Sequence, residues 1–259
     1  MKQGILIVSF GTTYKETREK NIERLAATVR ENFPDWSIYQ AYSSNKVRSI
    51  LKTRDNIVVN STREALKQMK ADGVNEVAVL PTHIIDGIEN NLMKQVIKAE
   101  SHLFQKVSIA SALLEGEEYY KLISKALWQE INELAQDDPV IFMGHGSSHE
   151  ADGNYEVLEA ELRAVSGKEV YIATVEGSTT IEAVVERLNA VSTVKGRVLL
   201  LPFMLVAGDH AINDMAGEED SFASLLIEKG YQPECILKGI GEYAMIRNIY
   251  IRHLREAIG

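Results

Sequence analysis

An α/β fold of two tandem parallel-sheet domains is predicted by three observations. Short apolar runs alternate with segments of helical periodicity along the chain, which is the pattern of βαβ units. Several of these runs are almost continuously apolar, as strands covered by helices on both faces must be. The two halves also look alike. Each opens with an apolar strand running into a Gly-bearing loop, Ser9-Phe10-Gly11-Thr12 and Met143-Gly144-His145-Gly146. Each later carries a strand ending in Leu-Pro, Leu80-Pro81 and Leu201-Pro202, followed by a loop with a histidine, His83 and His210.

The first half supplies strands at Ile5 to Ser9, Trp36 to Ala41, Glu76 to Leu80 and Lys106 to Ser111. Its helices are expected at Glu16 to Asn32, from Ser43-Ser44-Asn45-Lys46 onward, at Ser61 to Ala71 and at Asn90 to Glu100. Ser61 with Glu64 three residues later forms a capping box and marks a helix start. A helix from Glu117 to Ala135 leads to a joint at Gln136-Asp137-Asp138-Pro139. The second half has strands at Val140 to Met143, Glu169 to Val175, Arg197 to Leu201 and Cys235 to Lys238. Helices at Tyr155 to Val165, Ile181 to Leu188 and Ser221 to Lys229 separate them, and a last helix runs from Tyr243 to Ile258. The expected division is a domain over 1–137, a second over 138–242, and a closing helix in 243–259 that returns to the first domain. A cleft between two such domains is a common place for a ligand.

The chain has 259 residues, 45% hydrophobic and 25% charged, with a formal net charge of -9. That balance argues against a general nucleic-acid binder. No run approaches the roughly 18 apolar residues of a membrane span. The opening Met1 to Gly11 run is too short for a signal-peptide core, so a cytoplasmic setting is expected. With Cys235 as the only cysteine, neither an internal disulfide nor a cysteine metal cluster can form.

In open α/β sheets, ligands bind beyond the carboxyl ends of the strands, where His145 and His210 stand. Imidazole moves protons near neutral pH and binds borderline divalent metals. His145, between two glycines, reads as a ligand or base, or as a loop residue bonded locally. His210 reads as a ligand oriented by Asp209 or Asp214, with a cap for the next turn as the alternative use of Asp209. Glu176, just past a strand, can ligate a metal or accept a proton; it can equally serve as a helix N-terminal acid. Together the three suit a divalent first-row metal with open coordination positions, not a closed zinc site. His149 reads as a polar residue at a helix start, and His102 and His253 as surface residues.

The remaining candidates face a ligand. Exposed N–H groups and hydroxyls at helix starts, around Thr12-Thr13 and Ser44-Asn45, bind carboxylates or phosphates readily. Phe10 can lie against a flat ring or fill the core at the strand end. Gly11, Thr12 and Ser43 belong to the same loops, and His83 and Glu89 would line the cleft from the first domain. No Gly-x-Gly-x-x-Gly, Walker or Gly-x-Ser-x-Gly pattern is present, so a nucleotide cofactor or a serine hydrolase has little support.

Together these segments resemble the anaerobic, CbiK-type cobalt chelatases, relatives of the class II chelatases and ferrochelatase. The resemblance spans essentially the whole chain. It rests on Val8-Ser9-Phe10-Gly11-Thr12, His83-Ile84-Ile85, Phe142 to Gly146 and Val175-Glu176, and above all on Met204 to Ala216. It implies two Rossmann-like domains, each with a mainly four-stranded parallel sheet flanked by helices, around a tetrapyrrole cleft. It further implies insertion of Co²⁺ into sirohydrochlorin or precorrin-2, with Fe²⁺ or Ni²⁺ as alternative metals and no organic cofactor. By motif, His145, Glu176 and His210 match the metal-binding set, His145 and His210 the catalytic histidines, and Glu89 a further cleft acid. Iron insertion for sirohaem, a tetrapyrrole or metal carrier without turnover, and a metallohydrolase remain the competing expectations.

Overall fold

The computed structural model describes residues 2–191 and 195–259. The first part of the chain forms β1 (Lys2–Ser9), α1 (Lys15–Arg18), α2 (Arg24–Asn32), β2 (Ser37–Tyr42), α3 (Asn45–Asp55), α4 (Thr62–Ala71), β3 (Val74–Pro81), α5 (Ile88–Glu100) and β4 (Lys106–Ile109). There follow α6 (Glu117–Ala135), β5 (Val140–Gly144), α7 (Asn154–Ser166), β6 (Val170–Thr174), α8 (Ile181–Val191), β7 (Arg197–Pro202), α9 (Phe222–Glu228), β8 (Gln232–Cys235) and α10 (Ala244–Ile258). Each set of four strands makes one parallel sheet, in the orders β2-β1-β3-β4 and β6-β5-β7-β8. This is the two-sheet α/β architecture expected from the alternating pattern.

The contacts divide the chain into two compact units: the chain up to Glu115 together with Ala244–Gly259, and Gly116–Tyr243. The joint expected at Gln136 to Pro139 therefore lies one helix too late. Helix α6 turns Tyr119, Ile123, Leu127 and Ile131 inward and packs on α7, so it belongs to the second unit. Helix α10 packs on α2, β3 and β4 of the first unit. There Tyr250 donates its hydroxyl to the Thr82 carbonyl at 3.1 Å, and Arg247 reaches Thr28 Oγ1 at 3.2 Å. His253, read from its charged neighbours as a surface residue, is only 1% exposed. It lies on the inner face of α10 with Nδ1 3.3 Å from the Ser111 carbonyl, and burial lowers its pKa.

Central strands explain the apolar runs. In β1, Ile5 to Val8 are fully covered, and Ile5 pairs with Ile38 on one side and Ala78 on the other. The strand expected at Cys235 to Lys238 runs instead over Gln232–Cys235. It is an edge strand and needs no apolar run, and an edge also tolerates Pro233, which cannot donate to a ladder. The helix expected over Glu16 to Asn32 is broken by a π-helical segment, Glu19–Glu23. Ser61 and Glu64 make the expected capping box, Ser61 Oγ accepting from Glu64 N and Glu64 accepting from Ser61 N at 2.8 Å.

The internal repeat extends to single backbone hydrogen bonds. Ser43 N and Ser44 N donate to Ser9 O and Phe10 O, just as Val175 N and Glu176 N donate to Gly144 O and His145 O. Thr82 N bonds Val8 O as Phe203 N bonds Met143 O, and Asn91 N bonds Gly87 O as Ile212 N bonds Gly208 O. Phe10, Ser44 and Glu89 are thus the first unit's counterparts of His145, Glu176 and His210. No described helix is long and apolar enough to cross a membrane.

Candidate functional site

In the second unit β5 and β7 are neighbours at the centre of the sheet, where the strand order reverses direction. Crossover helices leave that point toward opposite faces, and a crevice opens beyond the carboxyl ends of the two strands. His145 directly follows β5, His210 lies in the segment after β7, and Glu176 lies just beyond β6.

The three side chains gather there. The His145 and His210 rings meet edge to face with centroids 4.9 Å apart. His145 Nδ1 lies 4.0 Å from Glu176 Oε2. All three side chains keep solvent access, at 40%, 35% and 61% for His145, His210 and Glu176, so a ligand can reach each. Among the described residues no group of three or more His, Cys, Asp or Glu side chains is arranged to hold an ion as it stands. The three are gathered without having converged.

Both rings are fixed through Nδ1. His145 Nδ1 is 3.1 Å from the Gly146 carbonyl, and His210 Nδ1 is 2.5 Å from Asp214 Oδ2. A carbonyl or a carboxylate can only accept, so in each neutral ring Nδ1 carries the hydrogen and Nε2 keeps its lone pair. Asp214 therefore orients His210, and Asp209 instead accepts from Asn213 Nδ2 at 3.1 Å. Beneath the loop, Tyr155 fills the space against Gly144, where a Cβ would stand 2.7 Å from the ring. Burial pushes the Tyr155 phenol well above its ordinary range, against the opposing pull of hydrogen bonding to the Gly146 backbone.

Asp152, which the sequence reading passed over, joins the loops. Its Oδ1 accepts from Ser147 N at 3.0 Å, and its Oδ2 accepts from Ser178 N at 2.7 Å and Ser178 Oγ at 2.8 Å. Two glycines make room: Cβ atoms on Gly146 and Gly177 would lie 2.3 Å from Gly177 N and from Asp152 Oδ1. The one sequence signal was the pair of Gly-Ser turns, Gly146-Ser147 and Gly177-Ser178, whose exposed N–H groups need an acceptor. His149 uses Nδ1 to accept from Ala151 N at 3.2 Å, a role at the start of a turn.

The other candidates occupy the matching edge of the first unit. Phe10 is 47% exposed at the end of β1. Gly11 has φ +98° and lies against the Tyr42 ring, 2.5 Å from where its Cβ would stand, so only glycine fits. Thr12 is buried and its Oγ1 accepts from Tyr14 N at 3.3 Å. Ser43 has a buried Oγ with no hydrogen-bond partner among the described residues. Glu89 is exposed in the first turn of α5. His83 has both ring nitrogens covered and outside good hydrogen-bond geometry, although the Asn90 amide lies close enough to favour a charged ring. Burial is the larger effect and pulls its pKa down to about 4.

The family model for cobalt chelatase, CbiK, matches residues 3–259. The chain belongs to the CbiK cobalt chelatase family. Sirohydrochlorin cobaltochelatase of Salmonella typhimurium is 34% identical over 259 residues, covering 100% of this chain and 97% of that one. Sirohydrochlorin cobaltochelatase CbiKC of Nitratidesulfovibrio vulgaris is 32% identical over 261 residues, covering 99% and 91%. In fold, the chain is similar to SirB of Bacillus subtilis solved with Fe³⁺, with a TM-score of 0.69 and 13% identity, over 99% of this chain and 96% of that one.

Proposed function

We propose that this chain is a sirohydrochlorin cobaltochelatase: it inserts Co²⁺ into sirohydrochlorin or precorrin-2 with loss of two protons, in anaerobic cobalamin biosynthesis. Family membership and the full-length match to relatives of that name support the reaction. The observation that carries the site assignment is the pair of imidazoles, 4.9 Å apart, each held through Nδ1 with Nε2 left for a ligand.

His145, Glu176 and His210 bind the incoming ion, and His145 is the main acceptor of pyrrole protons. Imidazole can do both tasks because a single lone pair serves as base or ligand. The ion exchanges its water for pyrrole nitrogens while two N–H protons leave, so charge balances without any redox change and without an organic cofactor. Because the metal must be given away, donors that gather without closing on it suit the task better than a sealed cage.

The first unit's edge binds the organic substrate. Phe10 offers an exposed ring to the macrocycle, and Gly11, Thr12, Ser43, His83 and Glu89 are the other substrate-binding residues of this reading. Peripheral carboxylates of the tetrapyrrole meet N–H groups at the starts of α1 and α3. A reducing, cytoplasmic setting goes with this reading, in which Cys235 stays a free thiol.

Purified protein mixed with sirohydrochlorin and Co²⁺ should give the metallated absorption spectrum faster than the protein-free control. Parallel runs with Fe²⁺ and Ni²⁺ rank the metals, which ligand identity cannot do because their affinities and geometries overlap. Binding of the tetrapyrrole with no acceleration of insertion would make the protein a carrier instead. Full activity in His145→Ala would remove the proton-accepting role.

A further inference from the structure

Asp152 is 7% exposed, in the short 3₁₀ turn Glu150–Gly153 that follows the His145 loop. A carboxylate so placed is costly unless its oxygens are well used. Here they take three donors, and the donors belong to two different loops. Ser147 N lies in the loop that carries His145, and Ser178 N and Oγ lie in the loop that carries Glu176. The loops also touch directly, Glu176 N donating to His145 O at 2.8 Å. Gly146 and Gly177 permit an approach that any side chain would block.

We propose that Asp152 is a positioning residue: it clamps the His145 loop to the Glu176 loop and so sets how tightly the chain holds a divalent ion. The proposal rests on the reading of His145, Glu176 and His210 as the metal-binding set. It adds a residue that reaches neither ion nor substrate and acts through the two loops it joins. Its chemistry is specific to a carboxylate. Charge-assisted bonds to N–H donors are the stronger kind, and both oxygens must accept. Asparagine can keep one loop, but its amide NH₂ then faces the donors of the other.

The test titrates Co²⁺ into metal-free wild type, Asp152→Asn, Ser178→Ala and His145→Ala, following the visible Co²⁺ absorption bands and, separately, the melting temperature. Outer partners that fix metal ligands typically change metal affinity by about 10- to 100-fold, so Asp152→Asn is expected to weaken Co²⁺ binding at least about tenfold. Its KM for Co²⁺ rises in parallel while its KM for the tetrapyrrole stays at the wild-type value. Ser178→Ala keeps the carboxylate and both backbone bonds; it should shift binding the same way by a smaller factor, and it carries the test if Asp152→Asn does not fold. Loss of binding in His145→Ala with wild-type Co²⁺ affinity in Asp152→Asn and Ser178→Ala overturns the positioning role alone. Wild-type affinity in His145→Ala overturns the metal-site reading, and the proposal with it. A rise in both KM values together, in step with a lower melting temperature, would mark Asp152 as merely structural and also overturn the proposal.

Discussion

The imidazole of His210 and the carboxylate of Asp214 meet at 2.5 Å across the start of a π-helical segment, Ala211–Met215, that begins directly after the histidine. π-Helical turns are rare and concentrate at functional sites, where the wider turn re-aims a side chain. Here an acidic partner stands against Nδ1, and Nε2 keeps its lone pair. Removing the carboxylate frees the ring to rotate and to exchange tautomers. Asp214→Ala should therefore weaken Co²⁺ binding about 10- to 100-fold, the usual range for loss of such a partner. Asp214→Asn keeps an acceptor oxygen and should lose less. Equilibrium titration with Co²⁺ measures both, and a wild-type value in Asp214→Ala would separate His210 orientation from Asp214.

Gly146 has φ +81°, and a Cβ there would stand 2.3 Å from Gly177 N and 2.8 Å from Thr174 Cβ. The first neighbour is backbone and cannot swing away. Left-handed φ alone costs an ordinary residue about 1–2 kcal/mol, before any clash. Gly146→Ala should destabilise the chain by more than about 2 kcal/mol and part the His145 and Glu176 loops. Urea unfolding and Co²⁺ titration check the two effects. Gly153→Ala is the control, because nothing among the described residues lies within 4 Å of a Cβ at Gly153.

Burial holds His83 uncharged down to about pH 4 in the folded chain, while in the unfolded chain it takes a proton near its ordinary 6.5. Below pH 6.5 the unfolded state binds more protons, so stability falls as pH drops from 6.5 toward 4 and is unaffected above that window. At pH 5 the loss from this residue is about 2 kcal/mol relative to pH 7. His83→Phe should remove that part of the slope. His253, also lowered by burial, remains in the variant, so the difference between the two proteins isolates His83. Urea unfolding at pH 7 and pH 5 measures it, and equal slopes in both proteins would show His83 open to protons.

What the sequence displayed best was whatever repeats along it. Central strands such as Ile5 to Val8 must be apolar on both faces, so they stand out; the edge strand Gln232–Cys235 is half exposed and carries no such mark. A helix displays its buried stripe but not its partner, so the spacing of α6 leaves its unit open and the charged neighbours of His253 hide its burial. In the candidate site, His145, Glu176 and His210 were legible because strand ends are visible. Asp152 was not, because a carboxylate's value there depends on donors from two loops that meet only after folding. The choice between Asp209 and Asp214 rests on the helical turn after His210, which sets the i,i+4 pair His210 and Asp214 on one face.

The backbone repeat leads to a final prediction. Phe10, Ser44 and Glu89 occupy the first unit's equivalents of His145, Glu176 and His210, by matching hydrogen bonds. Phe10 and Glu89 are exposed, so replacing them leaves the core intact. Ser44 caps α3 by accepting from Val47 N at 3.3 Å, and its loss costs about 1 kcal/mol. The triple substitution Phe10→His, Ser44→Glu and Glu89→His, made together with His145→Ala, should restore Co²⁺ binding in the first unit. The restored affinity should be weaker than wild type by at least about tenfold, since the outer partner is missing. The counterpart of Asp214 is Met93, buried at 3% exposure and unable to hold a ring nitrogen. Isothermal titration with Co²⁺ decides it. No binding above the His145→Ala background would mean that the repeat aligns the two backbones without aiming their side chains alike.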